Sequence, residues 1–164
     1  MKTLYLVRHA KSSWEHSDAS DHDRPLNKRG ERDAQRMGRL LAKRNPHPEL
    51  IVSSSALRAF STASAFARAL GMPGDAVRTS DGLYLADEAE LRAVIASLDT
   101  AVASAMLVGH NPGMSVLASV LAHTHVSMST CAIAAIACAG ASWSDLAAGA
   151  ETHLLFFERP VRED

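Results

Sequence analysis

The chain reads as an α/β domain, a three-layer sandwich with a largely parallel central sheet and helices on both faces. Two observations carry that reading. Short apolar, β-rich runs alternate with segments of helical period through most of the 164 residues. Three of these runs also stop abruptly on polar or charged residues: LYLV on Arg8-His9, LIV on Ser53-Ser54-Ser55, and MLVG on His110-Asn111. No linker or internal repeat divides the chain, so residues 1–164 read as a single domain.

The elements follow in order. Residues 3–7 form the first strand, with Leu4, Leu6 and Val7. Residues 12–24 are polar and read as a loop. Asn27 is a good N-cap, and a helix runs from it to about residue 44 with Ala34, Met37, Leu40 and Leu41 on one face. Pro46 and Pro48 follow its end. Residues 50–52 are a second strand. The next helix carries Leu57, Phe60, Ala63, Ala67 and Leu70 and stops at Gly71. Residues 77–79 suit a short strand. Asp87 and Glu90 make a D-x-x-E cap before Leu91, Val94, Ile95 and Leu98. Residues 105–108 are a third buried strand, after which Asn111 caps and Pro112 opens a helix. Residues 131–138 and 152–158 are the last β candidates, with a turn of helix at 142–146 between them.

Composition excludes several functions. Apolar residues make up 47% and charged residues 21%, and the net charge is -1. That is ordinary for a globular protein, and it points to neither nucleic acid nor an anionic membrane as partner. No apolar run is long enough to span a bilayer. The N-terminus lacks the form of a secretory signal, because Lys2 is followed by a short apolar run that breaks at Arg8. The expected location is the cytoplasm. Cys131 and Cys138 read as small buried residues, and His123-x-His125 has no third ligand at a suitable spacing.

In open α/β sheets, ligands bind at the carboxyl ends of the strands. There the three runs would bring together Arg8, His9, Arg58 and His110, beside two helix N-termini. Arginine forks and helix N-termini suit a phosphate. A neutral histidine can attack phosphorus through one ring nitrogen while the other is held by an acceptor. A second, protonated histidine can stabilise the equatorial oxygens. This chemistry needs neither a metal nor a cofactor.

RHA (8–10), SSALRAFSTA (54–63) and VGHNPGM (108–114) resemble the three signature segments of the histidine phosphatase superfamily. RHAKSSW followed by DHDRPLNKRG (21–30) resembles its small SixA-type branch, the protein phosphohistidine phosphatases. The likeness runs from residue 4 to the last strand and implies a phosphoglycerate mutase-like fold. It implies His9 as nucleophile, Arg8 and Arg58 as phosphoryl ligands, and His110 as a second histidine of the phosphate pocket. Asn111 and Lys11 are further substrate-binding candidates. Ala10 stands where the wider group carries glycine.

Most relatives also use a carboxylic acid to protonate the leaving oxygen. Asp87 and Glu88 are the candidates, although each suits the first turn of its own helix. Asp18, Asp21 and Asp23 read better as a solvated loop. A protein phosphohistidine would relax the need for an acid, because a ring-protonated imidazole leaves as a neutral molecule. The expected substrate is therefore a phosphorylated protein. A small phosphate ester is the alternative, and a non-catalytic phosphoprotein-binding module is the alternative of another class. Among the remaining residues, Trp14 reads as packed in its loop, Gly30 as a close backbone approach, and His16 and His22 as having no special role.

Overall fold

The computed structural model describes residues 1–15 and 18–161; His16 lies outside them. Six strands form one sheet: β1 (Lys2–Arg8), β2 (Leu50–Ser54), β3 (Val77–Ser80), β4 (Ser104–Gly109), β5 (Ile133–Cys138) and β6 (Thr152–Glu158). Five helices accompany them: α1 (Lys28–Ala42), α2 (Leu57–Ala69), α3 (Glu88–Ala96), α4 (Gly113–Ala122) and α5 (Trp143–Ala148). The strand order is β3-β2-β4-β1-β5-β6. The first four in that order are mutually parallel, and β5 runs antiparallel to both β1 and β6. The sheet is thus mixed, with the expected parallel part and an antiparallel flank built from the two late β candidates.

The alternation of β1 explains its wholly apolar character. Leu4 and Leu6 pack into one core with Leu91, Ile95, Leu117 and Leu121 of α3 and α4. Tyr5 and Val7 pack into the other with Met37, Leu41 and Phe66 of α1 and α2. A strand covered on both faces must be apolar at both parities. The helix therefore leaves β1 on one face of the sheet, while the helix that follows β4 lies on the other. Adjacent parallel strands whose chains diverge in this way leave a crevice at their carboxyl ends.

Local rules hold at most boundaries. Asn27 caps α1, its side chain accepting from the Gly30 amide at 2.8 Å. Asp87 and Glu90 form a reciprocal capping box on α3. Two boundaries differ from expectation. The last β candidate before α5 begins at Ile133 rather than residue 131, because Cys131 adopts a left-handed φ of 64°. Its amide turns back to the carbonyls of Arg8 and His9. Asn111 is not the N-cap of α4, since Pro112 holds that position. Asn111 braces the turn instead: its Oδ1 accepts from the Ser115 amide and hydroxyl, and its Nδ2 donates to the Met128 carbonyl. Both cysteines are buried and free, as expected. Among the described residues, no helix is long and apolar enough to cross a membrane.

Gly30 is the close approach that the sequence suggests. A Cβ there would lie 2.1 Å from the Lys11 carbonyl oxygen, so α1 and the segment after β1 touch backbone to backbone. Gly30→Ala is expected to cost about 1–3 kcal/mol in urea unfolding, because the clash is with main chain that has no rotamer to yield. An unchanged midpoint would contradict this packing.

Candidate active site

The crevice between β1 and β4 gathers the predicted residues. Arg8 is in register with Gly109, and the His9 amide donates to the Gly109 carbonyl at 3.0 Å. His9 and His110 are therefore neighbours, with ring centroids 5.1 Å apart. Ser53 of β2 pairs with Val108, which brings Ser54 beside the same strand end. The Ser54 hydroxyl lies 2.8 Å from His110 Nε2. Arg58, in the first turn of α2, is 2% exposed and reaches His110 Nδ1 at 3.4 Å. Thr62, one turn further on, accepts from the Ala10 amide at 3.0 Å and donates to the Arg58 carbonyl at 2.8 Å. One hydroxyl thus ties the segment after β1 to the helix that carries Arg58.

These contacts fix both histidine tautomers. His9 Nδ1 lies 2.7 Å from the Ala10 carbonyl, which can only accept, so Nδ1 carries the proton and Nε2 is left bare. Arg58 can only donate, so His110 Nδ1 is the acceptor and Nε2–H points to Ser54. Burial is the main cause that lowers His9 to about 4; the charges of Arg58, Arg8 and Arg24 add to it, and the bond to Ala10 opposes it. Burial, His9 and Arg58 take His110 to about 3. Both rings are neutral near pH 7. The expectation of a protonated second histidine is thereby corrected for the unliganded site: two imidazoles and two guanidiniums crowd a buried crevice, and the imidazoles give up their protons first.

Arg8 Nε and Arg58 Nε are buried with no hydrogen-bond partner. Orphaned guanidinium donors are costly, and they suit a site built for an anion. Among the described residues, no group of three His, Cys, Asp or Glu side chains could hold a metal ion.

Comparison with known proteins agrees with this geometry. Residues 4–84 match the model of the histidine phosphatase superfamily, branch 1. A solved structure of a candidate phosphohistidine phosphatase SixA from Agrobacterium tumefaciens is 31% identical. It superimposes with a TM-score of 0.81 over 97% of this chain and 98% of that one. A second candidate SixA, from Nakamurella multipartitia, is 28% identical with a TM-score of 0.84, over 98% of this chain and 97% of that one. An uncharacterised chloroplastic protein of Arabidopsis thaliana is 34% identical over 88% of this chain and 70% of its own length.

The chain belongs to the histidine phosphatase superfamily, in its SixA-type branch. The candidate site also contains residues that the sequence reading undervalued. Asp21 is exposed, as a loop residue would be, but its carboxylate is fully engaged. Its Oδ2 accepts from Tyr84 at 2.5 Å and from Arg58 Nη2 at 3.1 Å. Its Oδ1 accepts from Arg24 at 3.2 Å, and its carbonyl takes Arg58 Nη1 at 2.6 Å. The Tyr84 hydroxyl, then Arg58 and Arg24, hold the Asp21 carboxyl at about 2 against partial burial. Tyr84 stands edge-on to His110 at 5.5 Å and to His22 at 4.9 Å. His22 in turn lies 3.0 Å from Ser55 Oγ, so it belongs to the rim of the crevice. The available signal for this group was DHDR, an acid and an arginine spaced to meet across one short helical turn.

The other candidates lie differently. Asp87 spends its carboxylate on the capping box. Glu88 binds Arg92 one turn along the same helix, at 2.7 and 3.1 Å. Neither bonds to a residue of the crevice, because each satisfies its own helix first. Asn111 faces the Met128 carbonyl and Ser115, and Lys11 is exposed beside Arg8. Trp14 is 74% exposed rather than packed in its loop. One face carries the Arg24 guanidinium, 3.5 Å from the ring centre.

The buried imidazoles set a pH dependence. Their folded pKa values lie below the 6.5 of the unfolded chain, so the unfolded chain binds more protons under acid conditions. Stability is full above about pH 6.5 and falls as the pH drops toward 4. The slope is up to about 1.4 kcal/mol per pH unit for each ring. Histidine NMR titration of the unliganded protein should show both rings neutral at pH 5.5. Midpoints near 6.5 for either ring would refute the assigned burial.

Proposed function

We propose that this phosphatase removes the phosphoryl group from phosphohistidine on a protein, through a transient phosphoryl group on His9. The observation that carries the mechanism is the His9 ring: neutral, held at Nδ1 by Ala10 with Nε2 left to attack, and under the charge of two arginines whose Nε donors are unpaired. Arg8 and Arg58 would bind the phosphoryl oxygens, and His110 would add a donor by turning its Nε2–H from Ser54 to the incoming phosphoryl group. The incoming dianion would also favour a proton on His110, offsetting the arginine charges that now oppose it.

The reaction balances without an enzyme acid. The Nε2 lone pair attacks phosphorus, the P–N bond of the substrate breaks, and its electron pair returns to the departing imidazole. With its other nitrogen protonated, that imidazole leaves neutral. Water then attacks phospho-His9, the second P–N bond breaks, and inorganic phosphate departs with His9 restored. The carboxylates support this substrate. Asp21 is held at about 2 and stays ionised, so it accepts hydrogen bonds rather than supplying protons. Asp87 and Glu88 are engaged within α3. Relatives named as candidate phosphohistidine phosphatases point the same way.

A paired assay in EDTA tests the proposal, with a phosphohistidine-bearing protein set against p-nitrophenyl phosphate. Wild type should turn over the former, and His9→Ala should lose at least about a thousandfold. Asp87→Asn and Glu88→Gln should stay within about threefold of wild type on phosphohistidine. Activity on the aryl phosphate alone would move the substrate to small phosphomonoesters. Near-normal turnover by His9→Ala would remove the intermediate. Asp21→Asn should weaken catalysis by about ten- to a hundredfold on both substrates, because Arg58 loses its orienting carboxylate.

A further inference from the structure

Beside the phosphoryl site lies a second concave region of about 790 Å³. Four cationic side chains line it, Arg8, Lys11, Arg29 and Arg159, together with Ser129 and Thr130. They come from four parts of the fold: the end of β1, the segment after it, the first turn of α1, and the end of β6. The Gly30–Lys11 backbone contact holds two of these parts together. Ser129 and Thr130 precede Cys131, whose amide bonds to the carbonyls of Arg8 and His9. The cavity therefore adjoins the phosphoryl site and shares Arg8 with it.

The charge is local, since the whole chain carries a net charge of -1. No carboxylate lines the cavity among the described residues. Arg29 has Asp33 at 3.5 Å, but Lys11 and Arg159 make no ion pair among the described residues. Like charges converging in a concavity repel one another and raise the local concentration of anions. Serine and threonine hydroxyls add neutral donors to such a site.

We infer that this cavity is a second anion subsite, which takes a carboxylate or phosphate group carried by the same substrate whose phosphoryl group meets His9. This rests on the phosphatase reading for the identity of the substrate, though not for the binding itself. The second anion selects among substrates: those with one anionic group fill only the phosphoryl site, and those with two fill both. It has two sources, an acidic side chain flanking a phosphohistidine or a second phosphate on a small molecule.

The test is calorimetric binding of methylphosphonate against α,ω-phosphonocarboxylates and bisphosphonates of increasing chain length. Wild type, Arg159→Glu and Arg29→Ser are compared. At one or more lengths, wild type should bind the two-anion compounds about tenfold or more tightly than methylphosphonate. Each variant should lose most of that gain while keeping its affinity for methylphosphonate. A gain with carboxylates alone identifies the acidic side chain as the source; a gain with bisphosphonates alone identifies the second phosphate. No advantage at any length, or an advantage that survives in both variants, overturns the subsite. Failure here is separable from failure of the phosphatase reading. Binding without turnover of any phosphorylated substrate would leave the subsite standing and remove that reading, and turnover without the two-anion advantage would do the reverse.

Discussion

The parallel pairing of β1 with β4 is the constraint on which the rest of the site depends. With Arg8 opposite Gly109, two histidines that are a hundred residues apart in the chain become neighbours at one sheet end. The chains then leave on opposite faces of the sheet, which opens a crevice between them at the strand ends. A slip of one residue in that register would turn Arg8 and His9 to the wrong faces and separate His9 from His110. The apolar parity of β1, with Leu4 and Leu6 in one core and Tyr5 and Val7 in the other, prevents the slip.

Within the crevice, electrostatics and hydrogen bonding act against each other in a useful way. Burial and the arginines keep His9 neutral, while the Ala10 carbonyl decides which nitrogen stays bare. In the proposed role of nucleophile, such a ring needs no base to activate it at neutral pH. Arg58 is held by Asp21 from one side and by the first turn of α2 from the other, yet its Nε remains without a partner. The guanidinium is thus oriented without being used up. Arg24 extends the same arrangement outward, bonding to Ser12 and Asp21 and stacking on Trp14. The segment between β1 and α1 is organised around two arginines and one carboxylate rather than around an apolar core.

The cationic cavity beside the site fits this picture as a continuation of it. Arg8 belongs to both regions, so an anion in either is felt in the other.

Much of this was legible in the residues before any coordinates. Strand parity, helical period and the caps at Asn27 and Asp87 are local properties, set by the side chains of a few consecutive residues. They placed β1, β2, β4, α1, α2 and α3 to within a few positions, and the strand ends pointed to Arg8, His9, Arg58 and His110. Tertiary structure decided what depends on partners distant in the chain. Asp21 and Tyr84 are 63 residues apart, and only the fold makes their hydrogen bond. The neutrality of His110 follows from burial beside His9 and the arginines that follow two other strand ends. Cys131 leaves the expected strand because its amide is taken by the carbonyls of Arg8 and His9. Local pattern names the chemical groups, whereas charge state and contact are set by what folding brings beside them.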